Sequence, residues 1–518
     1  MKRIETLKYL LILLLFIYPS CDDFVEVEPA GKTDEDFFNS PEEYEDALIG
    51  AYDLLQATFW NVLTSVVASD DIIAGGDSFT IDQPTLQNVN YLTQTPSDNN
   101  QLRDIWTLMY AGINRTNYLL ENKDKLDFAG KEEIIAEAYF LRAYYTFELA
   151  KFFGNVPLKI EDRNGVNRIK DERVIPGDQF TMERTASVSA IYGLIQEDLK
   201  AAIPALPVTQ DLPYEATKGA AQALLGKVYL FDGKHAEAAA VLNQVISSNQ
   251  YSLVTGDDYT NLFTIDGENG PESVFEIQYT NLEGAGWGCL ACSEGSYFVQ
   301  FNGPRSPYDD PVYASGWGFC LPTQQLYDAF DDDDMRRAVT IFDLTDLKEA
   351  GDNSSYSPPR EDTGFYNHKY MPRKADKGAA TAELTHPHNY RSIRYADVLL
   401  MAAEAEAQSG GSNAENYLNQ VRARAYGDNS HDYTSGEGAL ADAIFAERRK
   451  ELAGEGHRFF DLVRTGRAKA AFDNYNTTKP DDFVAITFVE NKHELFPIPL
   501  IELELANAEE RWGQNPGY

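Results

Sequence analysis

The chain has few residues of the types that carry nucleophilic, redox or metal chemistry. Its 518 residues include 4 cysteines and 7 histidines. The G-x-S-x-G and Ser/His/Asp signatures of serine hydrolases are absent, and no pair of carboxylates is set at a catalytic separation by the sequence. His386 and His388 flank Pro387, a spacing too loose to indicate a metal site. The sequence therefore predicts neither an enzyme nor a bound metal or cofactor.

Basic residues are also scarce. The chain has 44 Lys and Arg against 82 Asp and Glu, which gives a net charge of −38. Such a surface repels phosphate backbones, anionic polysaccharides and anionic lipid headgroups. We therefore expect no nucleic-acid partner, and a neutral ligand is favoured over an anionic one.

A long hydrophobic run is missing apart from one near the N-terminus. Residues 1–21 begin with three basic residues and continue with an apolar run from Tyr9 to Tyr18, which is too short to span a bilayer comfortably. The segment ends in Ser20-Cys21, a small residue before a cysteine, as in bacterial lipoproteins. We predict a lipoprotein signal peptide with lipid on Cys21; a plain secreted protein is the alternative.

The remaining cysteines are Cys289, Cys292 and Cys320, an odd number, so one intramolecular disulfide is the most that they can form. The C-x-x-C at 289–292 lacks the strand-to-helix context of a thioredoxin-like motif and has no nearby histidine for zinc. A structural disulfide or buried thiols are favoured, and the pairing stays open.

The first half of the sequence is typical of helices. Ser40-Pro41 starts one helix, and apolar residues at helical spacing predict two more, from about Gln101 to Asn122 and from Glu132 to Phe153. Residues 69–100 lie between the first two and are rich in Gly, Asp, Asn and Thr. Loops of this length are usually functional, so 69–100 is the first candidate binding surface.

Residues 222–242 have a tetratricopeptide-like pattern, in which Gly226 lies in a first helix and Leu242 in a second. Fragments of the pattern recur at 141–145 and 414–418. Alanine-rich amphipathic helices produce such matches by accident equally well, so the pattern alone leaves the repeat open.

The composition changes at about residue 251. Gly, Asp, Pro, Ser and aromatic residues crowd together as far as 388, with a β-like run at 273–279 and helical spacing kept only at 323–330. The helical pattern resumes at Tyr390. This indicates an irregular subdomain inserted into a helical one.

The segment 284–322 is rich in both aromatic residues and glycines. Its aromatic residues are Trp287, Tyr297, Phe298, Phe301, Tyr308, Tyr313, Trp317 and Phe319. An aromatic face stacks on the C–H face of a sugar, and neighbouring polar side chains bind hydroxyls. The segment therefore predicts a carbohydrate-binding platform. The alternative is that these aromatic side chains fill core space that the glycines, having no side chain, leave empty.

Residues 444–468 form an amphipathic helical pattern interrupted by Gly454 and Gly456. Asp461 lies among aromatic residues after the interruption. Burying a carboxylate there costs free energy unless a basic side chain pairs with it. Three bases lie within local reach: Arg448, Arg458 and Arg464. We predict a buried ion-pair corner here.

The string ERRKELAGEGHRFFDLVRTGRA at 447–468 resembles the most specific internal signature of the SusD/RagB family of outer-membrane nutrient-capture lipoproteins. The stretches 389–425 and 495–518 resemble the family as well. The resemblance implies a mainly α fold, a tetratricopeptide-like scaffold of helix pairs with an inserted, loop-rich subdomain containing short β-strands.

Composition and resemblance together divide the chain into four parts. These are the signal peptide at 1–21, a helical N-terminal part at 22–250, a ligand-binding insertion at 251–388 and a helical C-terminal part at 389–518.

The resemblance further implies a cell-surface lipoprotein that captures an oligosaccharide or polysaccharide. By the same resemblance, the protein is expected to deliver this ligand to a TonB-dependent, SusC-like outer-membrane transporter, on which it would sit as a hinged lid. The acidic charge favours a neutral glycan, and a β-glucan is one choice. Peptide capture is the alternative, and a surface glycoside hydrolase is less favoured.

The family places its glycan site on loops after the first helix and in the insertion. By that analogy we expect Trp287 and Trp317 to stack on sugar rings, with Tyr297 as a third ring. The expected hydrogen-bonding partners are Asn302, Arg305 and Asp71.

Overall fold

The structure is a computed structural model that describes residues 37–158, 184–282, 286–287, 293–352, 354–378, 381–505 and 512–518. The predicted signal peptide with Cys21 lies outside the described residues, as do Cys289 and Cys292. Cys320 is described and is a buried free thiol. Within the described ranges, no helix combines the length and the apolar character needed to cross a bilayer.

Helices dominate the described residues, as predicted. The helices are α1 (Pro41–Asp53), α2 (Phe59–Val67), α3 (Pro84–Asn90), α4 (Asn100–Glu121), α5 (Lys131–Phe153), α6 (Val188–Ala202), α7 (Lys218–Phe231), α8 (His235–Ser247), α9 (Asp257–Asn261), α10 (Phe298–Phe301), α11 (Gln324–Tyr327), α12 (Arg336–Thr340), α13 (Thr345–Ala350), α14 (Tyr395–Ser409), α15 (Ala414–Tyr426), α16 (Leu440–Glu451), α17 (Arg458–Arg464), α18 (Ala468–Thr478) and α19 (Leu500–Leu505).

The strands are short and pair in antiparallel twos. They are β1 (Ile72–Ala74) with β3 (Cys320–Pro322), β2 (Ser273–Ile277) with β6 (Tyr390–Arg394), and β4 (Ile341–Asp343) with β5 (Phe365–Asn367). Each sheet is too small to stand alone and depends on the helices around it.

Successive helices pack on one another as a stack. Helix α5 packs on α6, α6 on α7, and α7 on α8. The stack continues across the insertion, because α8 packs on α14 and α14 packs on both α15 and α16. The helix-pair scaffold is therefore confirmed, and it is built from parts of the chain on both sides of residues 251–388.

Gly226 shows why α7 and α8 approach closely. A Cβ added at this glycine would lie 2.5 Å from the side chain of Leu242, which is fully buried. The small-residue pattern at 222–242 is thus a real helix contact, which decides between the two interpretations that the pattern left open.

Two local predictions differ from the structure. The stretch 69–100 is not wholly irregular, since it contains β1 and α3. The helical pattern predicted from Tyr390 begins with five residues of strand, because Tyr390 and Arg394 pair with Ile277 and Ser273 of β2. Pairing with a strand more than a hundred residues away overrode the local spacing.

A buried charge network joins the insertion to the stack. The Glu451 carboxylate accepts from Arg336 of the insertion at 3.2 Å, from Arg394 at 3.0 Å and from Arg424 at 2.6 Å. Burial by itself would raise the pKa of Glu451, but the surrounding guanidinium groups hold it well below its usual range. The carboxylate is therefore charged at neutral pH although no part of its side chain is exposed.

The predicted ion-pair corner is present with one change. Asp461 pairs with Arg448 at 3.1 Å and with Arg464 at 2.7 Å. Burial raises the pKa of Asp461, and these two arginines lower it to about 2. Arg458 instead pairs with Asp70 at 2.9 Å, across to the start of the region predicted to bind ligand.

Replacing Gly226 by alanine should destabilise the fold by about 1–3 kcal/mol, because the new methyl group overpacks the contact with Leu242. Gly193 of α6 is a matched control, since a Cβ there meets nothing within 4 Å. Gly193→Ala should stabilise the helix by about 0.5–1 kcal/mol. Urea unfolding measures both; equal effects of the two variants would contradict the close contact.

Replacing Glu451 by glutamine should lower the free energy of unfolding by about 3–5 kcal/mol, because it leaves three buried guanidinium groups short of a counter-charge. Asp473→Asn is the control. Its partner Lys469 lies 2.6 Å away on an exposed face, where such pairs contribute little to stability. Chemical denaturation at pH 7 distinguishes them, and a loss of under 1 kcal/mol for Glu451→Gln would contradict the role given to the network.

Candidate functional site

An open pocket of about 600 Å³ lies between the insertion and the N-terminal helices. The insertion contributes Trp287, Tyr297, Phe301, Arg305, Trp317 and Phe319. The N-terminal part contributes Trp60, Asp82, Gln83, Pro84, Thr85, Asp98, Asn100, Gln101 and Asp104. The structure thus brings together the aromatic segment 284–322 and the candidate surface 69–100.

Trp287 and Trp317 form a pair of neighbouring rings in this pocket. Their centroids are 5.8 Å apart and their planes are inclined by 30°. Trp317 is partly buried and rests edge-on against Phe301 at 4.8 Å, whereas Trp287 is 57% exposed. The pair therefore combines one ring held by packing with one ring that offers a face to solvent.

Tyr297 lies at the floor of the pocket and is almost wholly buried. Its side chain is 1% exposed and packs against Phe59 at 4.0 Å and Trp60 at 5.5 Å between centroids. This burial contradicts its expected use as a third stacking ring. Its hydroxyl makes no hydrogen bond within the described residues, and the ring supports the pocket from below.

Arg305 holds the two sides of the pocket together. One guanidinium nitrogen donates to Asp82 at 3.0 Å and to the carbonyl of Trp317 at 3.0 Å, and the other pairs with Asp77 at 3.4 Å. The side chain thus links the loop after β1 to the backbone of a pocket indole. We interpret Arg305 as a residue that positions the site; because it also lines the pocket, its expected hydrogen bond to the ligand stays a prediction.

The loop after β1 is fixed by backbone contacts as well. The N–H of Gly76 donates to the carbonyl of Gly318 at 2.7 Å, which extends the pairing of β1 with β3. Asp77 accepts from the N–H groups of Phe79 and Thr80, each at 2.8 Å. Both walls of the pocket therefore rest on one antiparallel ladder.

Asn302 and Asp71 do not line the pocket. Asn302 is fully buried, donates to the carbonyl of Phe298 at 2.7 Å and accepts from Asn367 at 2.9 Å. Asp71 is also buried and is bound by Arg449 and Arg458. Their expected hydrogen bonds to ligand are therefore corrected, because each is already satisfied inside the protein.

The pocket is electrostatically negative. Asp82, Asp98 and Asp104 line it, and Arg305 is the basic side chain among its described lining residues. Burial raises the pKa of Asp104, while Arg103 at 3.4 Å acts in the opposite direction. Because Arg305 is already paired with Asp82, the remaining charge repels an anionic ligand.

Sequence reasoning missed Trp60 and Asp104 as pocket residues. Trp60 lies in α2, where its helical spacing indicates only core packing, and Asp104 is the fifth residue of α4. Asp98 and Asn100 lie at the end of the stretch 69–100. The loop-like composition of that stretch was the sequence feature that indicated a binding surface there.

Comparison with known proteins identifies the family. The model of the SusD family matches residues 343–518, and a model described as starch-binding associating with outer membrane matches residues 23–230. A solved laminarin-binding SusD-like protein is 34% identical to this chain, with 92% of this chain and 99% of that one covered and a TM-score of 0.77. The chain belongs to the SusD family.

Two further SusD-type proteins are similar over nearly the full length. Surface glycan-binding protein A from Bacteroides thetaiotaomicron, solved in complex with laminarihexaose, is 26% identical with a TM-score of 0.77 over 92% of this chain and 99% of that one. The SusD-like protein P2 of Formosa agariphila is 28% identical over 539 residues, 99% of each chain. The family fold therefore covers both the helical stack and the insertion.

Replacing Arg305 by methionine should loosen the loop after β1, because Asp77, Asp82 and the Trp317 carbonyl lose their common donor. We expect the amides of Phe79 and Thr80 to exchange hydrogen at least about tenfold faster, equivalent to ~1.4 kcal/mol of local opening. Arg103→Met is the control. The side chain of Arg103 is half exposed and pairs with Asp104, which is not one of the three groups that Arg305 holds. Unchanged exchange in Arg305→Met would contradict the positioning role.

Proposed function

We propose that this SusD-family protein captures a neutral oligosaccharide or polysaccharide, a β-glucan of the laminarin type, in the pocket of Trp287 and Trp317. The observation that carries the proposal is the pair of indoles 5.8 Å apart on the wall of an open pocket. Flat, apolar ring faces fit the C–H faces of pyranose rings.

Polar side chains around the indoles suit a ligand rich in hydroxyl groups. Gln83, Thr85, Asn100 and Gln101 line the same pocket and offer amide and hydroxyl groups that both donate and accept. Asp98 adds a carboxylate acceptor. This mixture supports a sugar over a purely apolar ligand.

The charge of the pocket supports a neutral glycan. Arg305 is bound to Asp77 and Asp82, and Arg103 pairs with Asp104, so these two arginines face four carboxylates when Asp98 is included. A sulfated or uronic-acid chain would meet net repulsion both here and from the whole chain, whose charge is −38. One related protein of known structure binds laminarin and another was solved in complex with laminarihexaose, which favours a β-glucan within the neutral class.

The proposal also concerns where the protein works. We place it at the cell surface on the outer membrane, anchored by lipid on Cys21, as the lid of a TonB-dependent, SusC-like transporter. Membership of the family and a matching family model described as associating with outer membrane support this. A glycan bound to both lid and transporter would favour the closed state through its higher affinity for that state. The protein binds its ligand and does not cleave it.

Calorimetry against laminarin, a carboxymethylated β-glucan and a mixed peptide pool tests the ligand class. We expect binding of laminarin alone, with a Kd between mM and µM, or roughly −4 to −8 kcal/mol, as suits an open site. Binding of the peptides in place of laminarin would favour peptide capture. Release of reducing sugar from laminarin would instead indicate a glycoside hydrolase.

Replacing Trp287 and Trp317 together by alanine should weaken laminarin binding by about 30- to 1,000-fold, since two stacking contacts of ~1–2 kcal/mol each are lost. Leu282→Ala is the matched control, because Leu282 is an apolar residue of the same insertion that is 86% exposed and does not line the pocket. Both variants should stay folded at the assay temperature by circular dichroism, although the loss of the packing between Trp317 and Phe301 lowers the unfolding midpoint of the double variant. Full binding by the double variant would show that the site lies elsewhere.

A further inference from the structure

A second depression of about 190 Å³ adjoins the indole pocket. Its walls come from two segments far apart in the chain, residues 96–103 before and in α4, and residues 499–504 in and before α19. Pro96, Pro499 and Ile501 supply apolar surface, and Asn100, Arg103 and Glu504 supply polar groups. We call this depression the C-terminal groove.

The two walls of the C-terminal groove are fixed to each other. The backbone N–H of Leu500 donates to the carbonyl of Pro96 at 2.8 Å. Asn99, whose side chain is buried, donates to the carbonyl of Thr95 and holds the turn that precedes α4. The groove is therefore a formed feature and does not depend on a chance approach of two surface loops.

The groove and the indole pocket meet at the start of α4. Asn100 lines both. Arg103 lines the groove, Asp104 lines the pocket, and their side chains pair at 3.4 Å across the border. The two depressions therefore share part of their lining at the start of α4.

We propose that the C-terminal groove is a second subsite of the glycan cleft, which binds the continuation of the chain whose rings stack on the two indoles. This inference rests on the proposed function. The groove has the composition that a sugar needs, with prolines and an isoleucine that is 44% exposed on one side and hydroxyl-binding groups on the other. The described lining of the groove includes no aromatic residue, so the groove adds contacts to those of the indole pocket and does not replace them.

The subsite makes affinity depend on chain length. A short oligosaccharide fills the indole pocket alone, whereas a longer one also covers Pro96, Pro499 and Ile501. Because the groove walls are already in place, the added contact costs little reorganisation. The groove thereby selects for long fragments over the short sugars that hydrolysis releases.

Calorimetry with laminaritriose and laminarihexaose tests the subsite. The parent protein should bind the hexaose about tenfold more tightly than the triose. Ile501→Asp should bind the triose as the parent does and lose most of the hexaose advantage, because a carboxylate replaces apolar contact in the groove. Leu505→Asp is the matched control, since Leu505 is a 54% exposed residue of the same helix that does not line the groove.

The outcomes separate the two claims. Parent-like hexaose binding by Ile501→Asp would overturn the subsite while leaving the indole pocket intact. Loss of triose binding as well would also overturn it, because the groove would then not be a separate subsite. Hexaose binding that survives removal of both indoles, or no binding of either oligosaccharide by the parent, would overturn the proposed function and the subsite with it.

Discussion

The structure depends on buried charges that are satisfied only when the insertion and the helical stack are both in place. Glu451 forms ion pairs with Arg336, Arg394 and Arg424. Glu455 forms ion pairs with Arg394 at 2.8 Å and with Lys369 at 2.7 Å. Taking these groups out of water is costly, and their mutual attraction offsets the cost only with every partner present. The network therefore fixes one arrangement of the insertion on the stack.

The same C-terminal helices fix the pocket. Arg449 and Arg458 bind the carboxylates of Asp71 and Asp70, which directly precede β1. Strand β1 pairs with β3, and this ladder continues into the backbone around Trp317. The family signature at 447–468 thus has a structural role. Its arginines connect the helical stack to the β1–β3 ladder, which positions Trp317.

Rigidity of this kind suits a weak, exposed binding site. A shallow site gains little from each contact, so it cannot also supply the free energy of ordering its own loops. Here the loop after β1 is held by Arg305, and the groove wall by the bond between Leu500 and Pro96. The carboxylates of Asp82, Asp98 and Asp104 outnumber the one basic side chain of the described pocket lining, Arg305, and this excess of negative charge disfavours an anionic ligand there.

The sequence by itself determined the long helices, because their apolar spacing and capping signals are local. It marked Gly226 as a candidate helix contact, and the structure showed that Leu242 faces it. The sequence also identified the aromatic segment 284–322. Only the tertiary structure decided that Asp71 is bound by an arginine 378 residues away, that Asn302 and Tyr297 are buried, and that Asp104 lines the pocket. The physical reason is that the exposure and the partners of a loop side chain depend on distant segments that the fold brings together, and no local spacing encodes them.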